Sequence, residues 1–396
     1  MSKSRFAPFR DFLEKESSSG ILLLFAATLG LLIANSPFAD AYFKTLDFSF
    51  SLKPLGIDLE LTILKLINYG LMTIFFFVVG LEIKRELTSG HLSEIRSAAA
   101  PFFAAIGGMA IPALIYLAIA GSTAPEGWAI PVATDIALAV GILALMGSRA
   151  TDGLKSFLLA LAVIDDIGAI IIIAFVFSAG ALFSWLLAAL GATLAVLVLQ
   201  KIGVMKSYVY AIVGLLLWFS LYKAGVHPTL AGVIMGLLTP ATTITDTRIE
   251  DIEDGRLTLV EKIQGNFHGF SAFVVVPLFA FANSGVVISA SAIDAARTSP
   301  IAWGIVLGLV VGKPLGIFLT AKAAVAARVA QLPPETANSA LVAVGSTAGI
   351  GFTVAIFIAK LAFTEPELQD LAVTAVMAGS LISGVIGVAL FRLLRH

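Results

Sequence analysis

The chain has no cysteine, four histidines and little charge. Without cysteine there are no disulfides and no thiolate metal sites. The histidines (His91, His227, His268 and His396) share no HxxxH-type spacing, which argues against a histidine-built zinc centre. Charged residues make up 13% of the 396, against ~25% in soluble domains. A water-soluble fold of this length needs more polar surface than that. The net charge of −1 supplies no field for nucleic acid. No organic cofactor is implied.

What the chain has instead is apolar length: 59% of its residues are hydrophobic. A membrane-spanning helix needs ~20 mostly apolar residues. Twelve stretches qualify, near 14–36, 62–86, 97–120, 128–147, 154–178, 181–201, 207–223, 226–239, 263–288, 300–326, 338–361 and 367–392. The eighth is short and the fourth is interrupted, so the count is open by one or two. The reading is an all-α membrane protein, one transporter domain over 1–396. Residues 1–13 are too polar for a signal peptide and read as an amphipathic cytoplasmic lead. With the N-terminus inside, eighteen Lys and Arg fall on the cytoplasmic side and six outside, and Lys313 stays within the membrane. That bias fits the positive-inside rule with both termini in the cytoplasm.

Two segments lie outside the bilayer. Residues 240–262 are polar and read as a cytoplasmic linker. Residues 46–61 alternate apolar and polar on both sides of KPLG, as a β-hairpin does; an ordinary exterior loop is the other reading. A hairpin edge could pair with a second copy of the chain.

An ionisable side chain at mid-membrane costs ~2.5–3.5 kcal/mol on insertion scales, yet the chain keeps four: Asp135, Asp165, Asp166 and Lys313. Asp165 and Asp166 are adjacent in LALAVIDDIGAIIIIAF. Desolvation and like-charge repulsion both oppose double ionisation, so the pair titrates as a unit. A proton or a cation relieves the repulsion, and a site that takes one or the other is an exchange site. Asp135 follows Thr134 in WAIPVATDIALAVG, where Pro131 breaks the helix. Unwound backbone at membrane depth lines a cavity or is buried in protein. A hydroxyl and a carboxylate there offer the oxygen ligands that a hard cation prefers. Lys313, in VVGKPLG, needs a carboxylate partner, Asp165 or Asp166, or sheds its proton.

The eleventh stretch, LVAVGSTAGIGFTVAIFIA, is weakened by Gly345, Gly349 and Gly351 just before Thr353. Stretches three to five (97–178) and ten to twelve (300–392) therefore both place an interrupted helix second. Interrupted helices in matching positions of inverted repeats point to a midplane ion site. Asp135 would neutralise the N-terminal half-helix ends there, and Lys313 the C-terminal ends.

These motifs carry a resemblance. GLEIKREL (80–87), EGWAIPVATDIALAVGILALMGSR (126–149), IDDIGAIIIIA (164–174), GVHPTLAGVIMG (225–236), PLFAFANSGV (277–286), GKPLGI (312–317) and GIGFTVAIFIA (349–359) resemble the NhaA family of bacterial sodium/proton antiporters, in order, over about residues 12–392. The resemblance implies a twelve-helix homodimer of the inner membrane. It implies a secondary transporter, not an enzyme, with electrogenic and pH-regulated exchange of Na+ or Li+ for H+. It places ion and proton binding on Asp165 and Asp166, with Thr134 and Asp135 in the broken helix, and pairs Lys313 with the first aspartate as charge partner or proton carrier. Pro131, Gly349, Gly351 and Thr353 become broken-helix positions. A pH-sensing cluster falls on Glu82, Lys84, Arg85, Glu86, Glu261, Gln264, His268 and His227; a lone His227 equally suits a structural hydrogen bond. The chain departs from the best-known members at Asn68-Tyr69-Gly70, where they carry Asn-Asp, at Gln264, where they carry glutamate, and in a shorter hairpin. These departures bear on regulation rather than on transport.

Three other classes fit less well. A solute symporter would need a sizeable cavity. An intramembrane aspartyl protease takes its aspartates from two helices, one in a GxGD motif that the chain lacks. A passive channel needs weaker ion binding than a buried carboxylate pair provides.

Overall fold

A computed structural model describes residues 16–51, 59–178, 182–204, 206–241, 243–245, 256–334 and 336–394. The apolar runs are helices. In chain order they are α1 (Glu16–Ala34), α2 (Ala39–Asp47), α3 (Ile63–Thr88), α4 (Ile95–Ala120), α5 (Ile136–Met146), α6 (Asp152–Phe175), α7 (Phe183–Lys201), α8 (Ser207–Ala224) and α9 (Leu230–Leu238). Then follow α10 (Leu259–Asn283), α11 (Ala290–Thr298), α12 (Pro300–Ala326), α13 (Asn338–Ala348), α14 (Phe352–Ala362) and α15 (Pro366–Leu393). Among the described residues nine helices are long and apolar enough to cross a membrane, and two bent pairs raise the number to eleven. The pairs are α1 with α2, bent by 111°, and α13 with α14, bent by 48°. The stretch at 226–239 becomes the nine-residue α9, too short to span alone. Leu187, Leu190, Leu194 and Leu197 form an exposed apolar face on α7, as lipid contact requires. The protein is an all-α membrane protein.

Four short strands complete it. β1 (Ser49–Ser51) pairs antiparallel with β2 (Glu60–Thr62), Phe50 facing Leu61. This is the hairpin expected at 46–61; residues 52–58 lie outside the described residues, as does the lead at 1–13. The linker at 240–262 differs from expectation. It contains a second antiparallel ribbon, β3 (Thr243–Thr245) with β4 (Arg256–Thr258), and α10 begins inside it at Leu259. The early start has a local cause. Thr258 Oγ1 accepts from Glu261 N–H while the Glu261 carboxylate accepts from Thr258 N–H, the reciprocal cap that opens a helix.

The chain divides into two compact units, one containing Glu94–Ala169 and Ala280–His396 with α1, the other Asp47–Ser93 and Ile170–Phe279. In the second unit α3 packs on α9, α7 on α8 and α10 on α3. In the first unit α4 crosses α12, and α13 lies against α12 and α15. The α4–α12 crossing requires glycine on both sides. A Cβ on Gly107 would sit 2.4 Å from Gly316 O, and one on Gly316 would sit 2.1 Å from Gly107 O.

α12 carries a wide turn at Gly308–Gly312 in which Lys313 N–H reaches back to Gly308 O. The next residue, Pro314, has no N–H to give. This local rearrangement precedes the buried lysine, and single π-type turns inside helices often mark functional positions.

Candidate functional site

The site in the first unit is built on two interrupted spans. The first opens with a 3-10 segment, Pro125–Val132, that contains Pro131. Ala133 and Asp135 are extended, and α5 starts at Ile136. In the second, α13 stops at Ala348 and α14 starts at Phe352. The breaks are bonded to each other: Asp135 N–H donates to Ile350 O at 2.6 Å. Gly349 lets the second break pack closely on α12 and α15, because a Cβ there would lie 2.4 Å from Leu309 O and 2.7 Å from Ser383 Oγ.

Asp135 caps both half-helices. Its Oδ1 accepts from Leu138 N–H at 3.1 Å, at the start of α5. Its Oδ2 accepts from Thr353 N–H at 3.0 Å and Thr353 Oγ1 at 2.6 Å, at the start of α14. Each helix N-terminus carries a partial positive charge that favours a carboxylate. Two such ends converge on one buried side chain, 2% exposed.

Asp165 and Asp166 lie within α6, at 0% and 5% exposure. Lys313 is equally buried, and its ammonium donates to Asp165 Oδ2. Thr134 Oγ1 lies 2.7 Å from Asp165 Oδ2 and 2.9 Å from Ala348 O. Both are acceptors, so the one hydroxyl proton serves one of them at a time. Asp165 Oδ1 has no hydrogen-bond partner among the described residues. A buried carboxylate oxygen left in that state is costly, and its lone pairs can accept a hydrogen bond or a cation.

Lys313 makes its hydrogen bond to Asp165 rather than to a half-helix C-terminus, so an ammonium balances one of the two adjacent carboxylates. Fully ionised, the group Asp165, Asp166 and Lys313 holds one net negative charge, which a single proton or monovalent cation neutralises. Carboxylate and hydroxyl oxygens from Asp165, Asp166 and Thr134 are a donor set for a hard cation.

Sequence reasoning missed Ser380, whose Oγ accepts from Phe352 N–H at 3.2 Å. One serine in an apolar helix gives no signal by itself.

The other expected residues sit in the second unit. Glu82, Lys84, Arg85 and Glu86 occupy the end of α3, with Arg85 3.2 Å from Glu86 and 4.0 Å from Glu82. Glu86 is buried, as is Gln264 on α10. The Glu261 carboxylate is engaged in the α10 cap, one turn before Gln264, and His268 follows on the same helix. His227 Nδ1 lies 2.6 Å from Thr229 Oγ1 just before α9, and its ring stands edge-on to Tyr69 at 5.2 Å between centroids.

Comparison with known proteins bears on this arrangement. The profile of the family described as Na+/H+ antiporter 1 matches residues 10–391. Na(+)/H(+) antiporter NhaA 2 of Myxococcus xanthus is 42% identical, over 99% of this chain and 90% of that protein. Na(+)/H(+) antiporter NhaA of Shigella dysenteriae is 43% identical, over 96% of this chain and 97% of that one. The corresponding protein of Shewanella sp. strain MR-7 is 44% identical, over 96% and 95%. With a profile match over nearly its whole length and relatives of this identity, the chain belongs to the NhaA family of Na+/H+ antiporters.

Proposed function

We propose that this chain moves Na+ or Li+ out of the cell against inward H+, at a site formed by Asp165, Asp166 and Thr134. One observation carries the reading: two adjacent buried carboxylates, one balanced by Lys313, beside a crossing of two interrupted helices. Sodium binds when Asp166 is ionised, and protons displace it. Only the loaded forms, holding sodium or protons, reorient.

The exchange is electrogenic if sodium also displaces the ammonium and Lys313 gives up its proton. More protons than sodium ions then cross in each cycle. The test is proton flux in proteoliposomes on addition of Na+, Li+ or K+. Flux with Na+ and Li+ but not K+ is expected; equal flux with all three, or none, would remove the reading.

Regulation by pH is assigned to the second-unit cluster, where a neutral Gln264 lies one turn from Glu261. Gln264→Glu is expected to move the pH of half-activation by about half a unit or more, as a new buried carboxylate does; an unmoved profile places regulation elsewhere. In this reading the protein is a homodimer of the inner membrane with both termini cytoplasmic, joined through β1 and β2. Deleting residues 49–62 should convert the dimer to a monomer in light scattering, and a persistent dimer would reject the hairpin as its contact.

A further inference from the structure

The second interrupted span is held from the side by the last helix. Helix α14 leaves its first N–H groups without intrahelical acceptors; its ladder begins with Ala355 N–H donating to Gly351 O at 2.9 Å. Thr353 N–H is taken by Asp135, at 3.0 Å. The neighbouring Phe352 N–H is taken by Ser380 Oγ of α15, at 3.2 Å. The two caps come from different elements, the first interrupted span and α15. Ser380 is 5% exposed, and water is a poor substitute at such a position.

We infer that Ser380 is a positioning residue for ion binding, fixing the break in the second span so that Thr134 stays against Asp165. The path is short. Phe352 follows Ile350 by two residues, and Ile350 O receives Asp135 N–H at 2.6 Å. Asp135 adjoins Thr134, whose Oγ1 lies 2.7 Å from Asp165 Oδ2. Loss of the cap lets the end of α14 relax and carries Thr134 away from the carboxylate.

A control stands one turn further along α15. Ser383 Oγ is as deeply buried, at 1% exposure, and has no hydrogen-bond partner among the described residues. Loss of that hydroxyl removes volume but no cap.

The inference rests on the exchange reading, and one assay separates the two. Sodium-driven proton flux in proteoliposomes gives the apparent KM for Na+, and calorimetry gives sodium binding to the same preparations. Ser380→Ala is expected to raise KM about tenfold, with maximal turnover much less affected. Ser380→Thr should stay near wild type, and Ser383→Ala should leave KM unchanged. Thr and Val at 380 differ only in hydroxyl against methyl, so this pair makes the comparison at constant volume should the alanine variant fail to fold. Equal KM for the Thr and Val variants, or an equal rise in Ser383→Ala, would overturn the inference while the exchange reading stands. Wild-type protein that neither binds sodium nor moves protons would overturn both.

Discussion

Replacing Asp166 by asparagine is expected to bring sodium-driven proton flux to about 1% of wild type or below. The amide preserves shape and one oxygen but carries neither the charge that attracts sodium nor the proton that replaces it. An interaction with a charged group is worth up to ~3 kcal/mol, which is about a hundredfold in binding. Asp166 is 5% exposed, so bulk water does not make up the loss. The folded state should tolerate the change, because a neutral side chain is easier to bury than an ionised one. Flux in proteoliposomes and the thermal midpoint in detergent check the two halves of this result. Retained flux would move the exchange site away from Asp166.

The second large effect is on stability. Lys313→Met leaves Asp165 with Thr134 Oγ1 as its remaining donor, at 0% exposure. Breaking a buried ion pair from one side costs ~3–5 kcal/mol because the surviving charge is uncompensated. The single variant should melt well below wild type at neutral pH and recover as acid protonates the aspartate. The double variant Asp165→Asn, Lys313→Met should regain much of the loss at neutral pH, since both charges are gone. A double variant as unstable as the sum of the two single ones would mean that the pair acts through shape rather than charge. With no Lys313 proton to release, neither variant should transport more protons than sodium ions.

The parts legible in the sequence were those where the bilayer makes an exception costly. Asp135, Asp165, Asp166 and Lys313 stood out because an apolar run makes any charge conspicuous, and the structure joins two of them, Asp165 and Lys313, with Thr134 in one hydrogen-bonded group. Pro131 and Gly349 marked the breaks for the same reason: each removes something a continuous helix needs. Hydroxyls away from a charge were less legible: Thr134 was read beside Asp135 and Thr353 only as a broken-helix position, while Ser380 looks like the many Ser and Thr that bond to their own helix, as Ser220 does to Leu216 O and Thr320 to Gly316 O. Only the fold distinguishes a hydroxyl that caps another element.

The residues by themselves left Lys313's partner open between Asp165 and Asp166, and only the family resemblance pointed to the first aspartate. Asp165 and Asp166 are adjacent in sequence, but neighbours on a helix face different directions, and α12 approaches the side of Asp165. The ribbon β3–β4 was obscured by polarity. Its residues are β-branched in part (Thr243, Ile244, Thr245), yet a charged segment surrounds them and outweighs the strand signal. The wide turn at Gly308–Gly312 lies just before Pro314, but Gly and Pro there fit a kink equally well.

Exchange at this site requires sodium and protons to compete for the same carboxylates. The direct measurement is sodium affinity of the purified protein by calorimetry across a pH series, with proton release counted from buffers of different ionisation enthalpy. Binding should weaken about tenfold or more for each unit of acidification below the titration range, with protons released as sodium binds. An affinity independent of pH, with no proton released, would mean that sodium and protons occupy separate groups and that Asp165 and Asp166 are not a shared site.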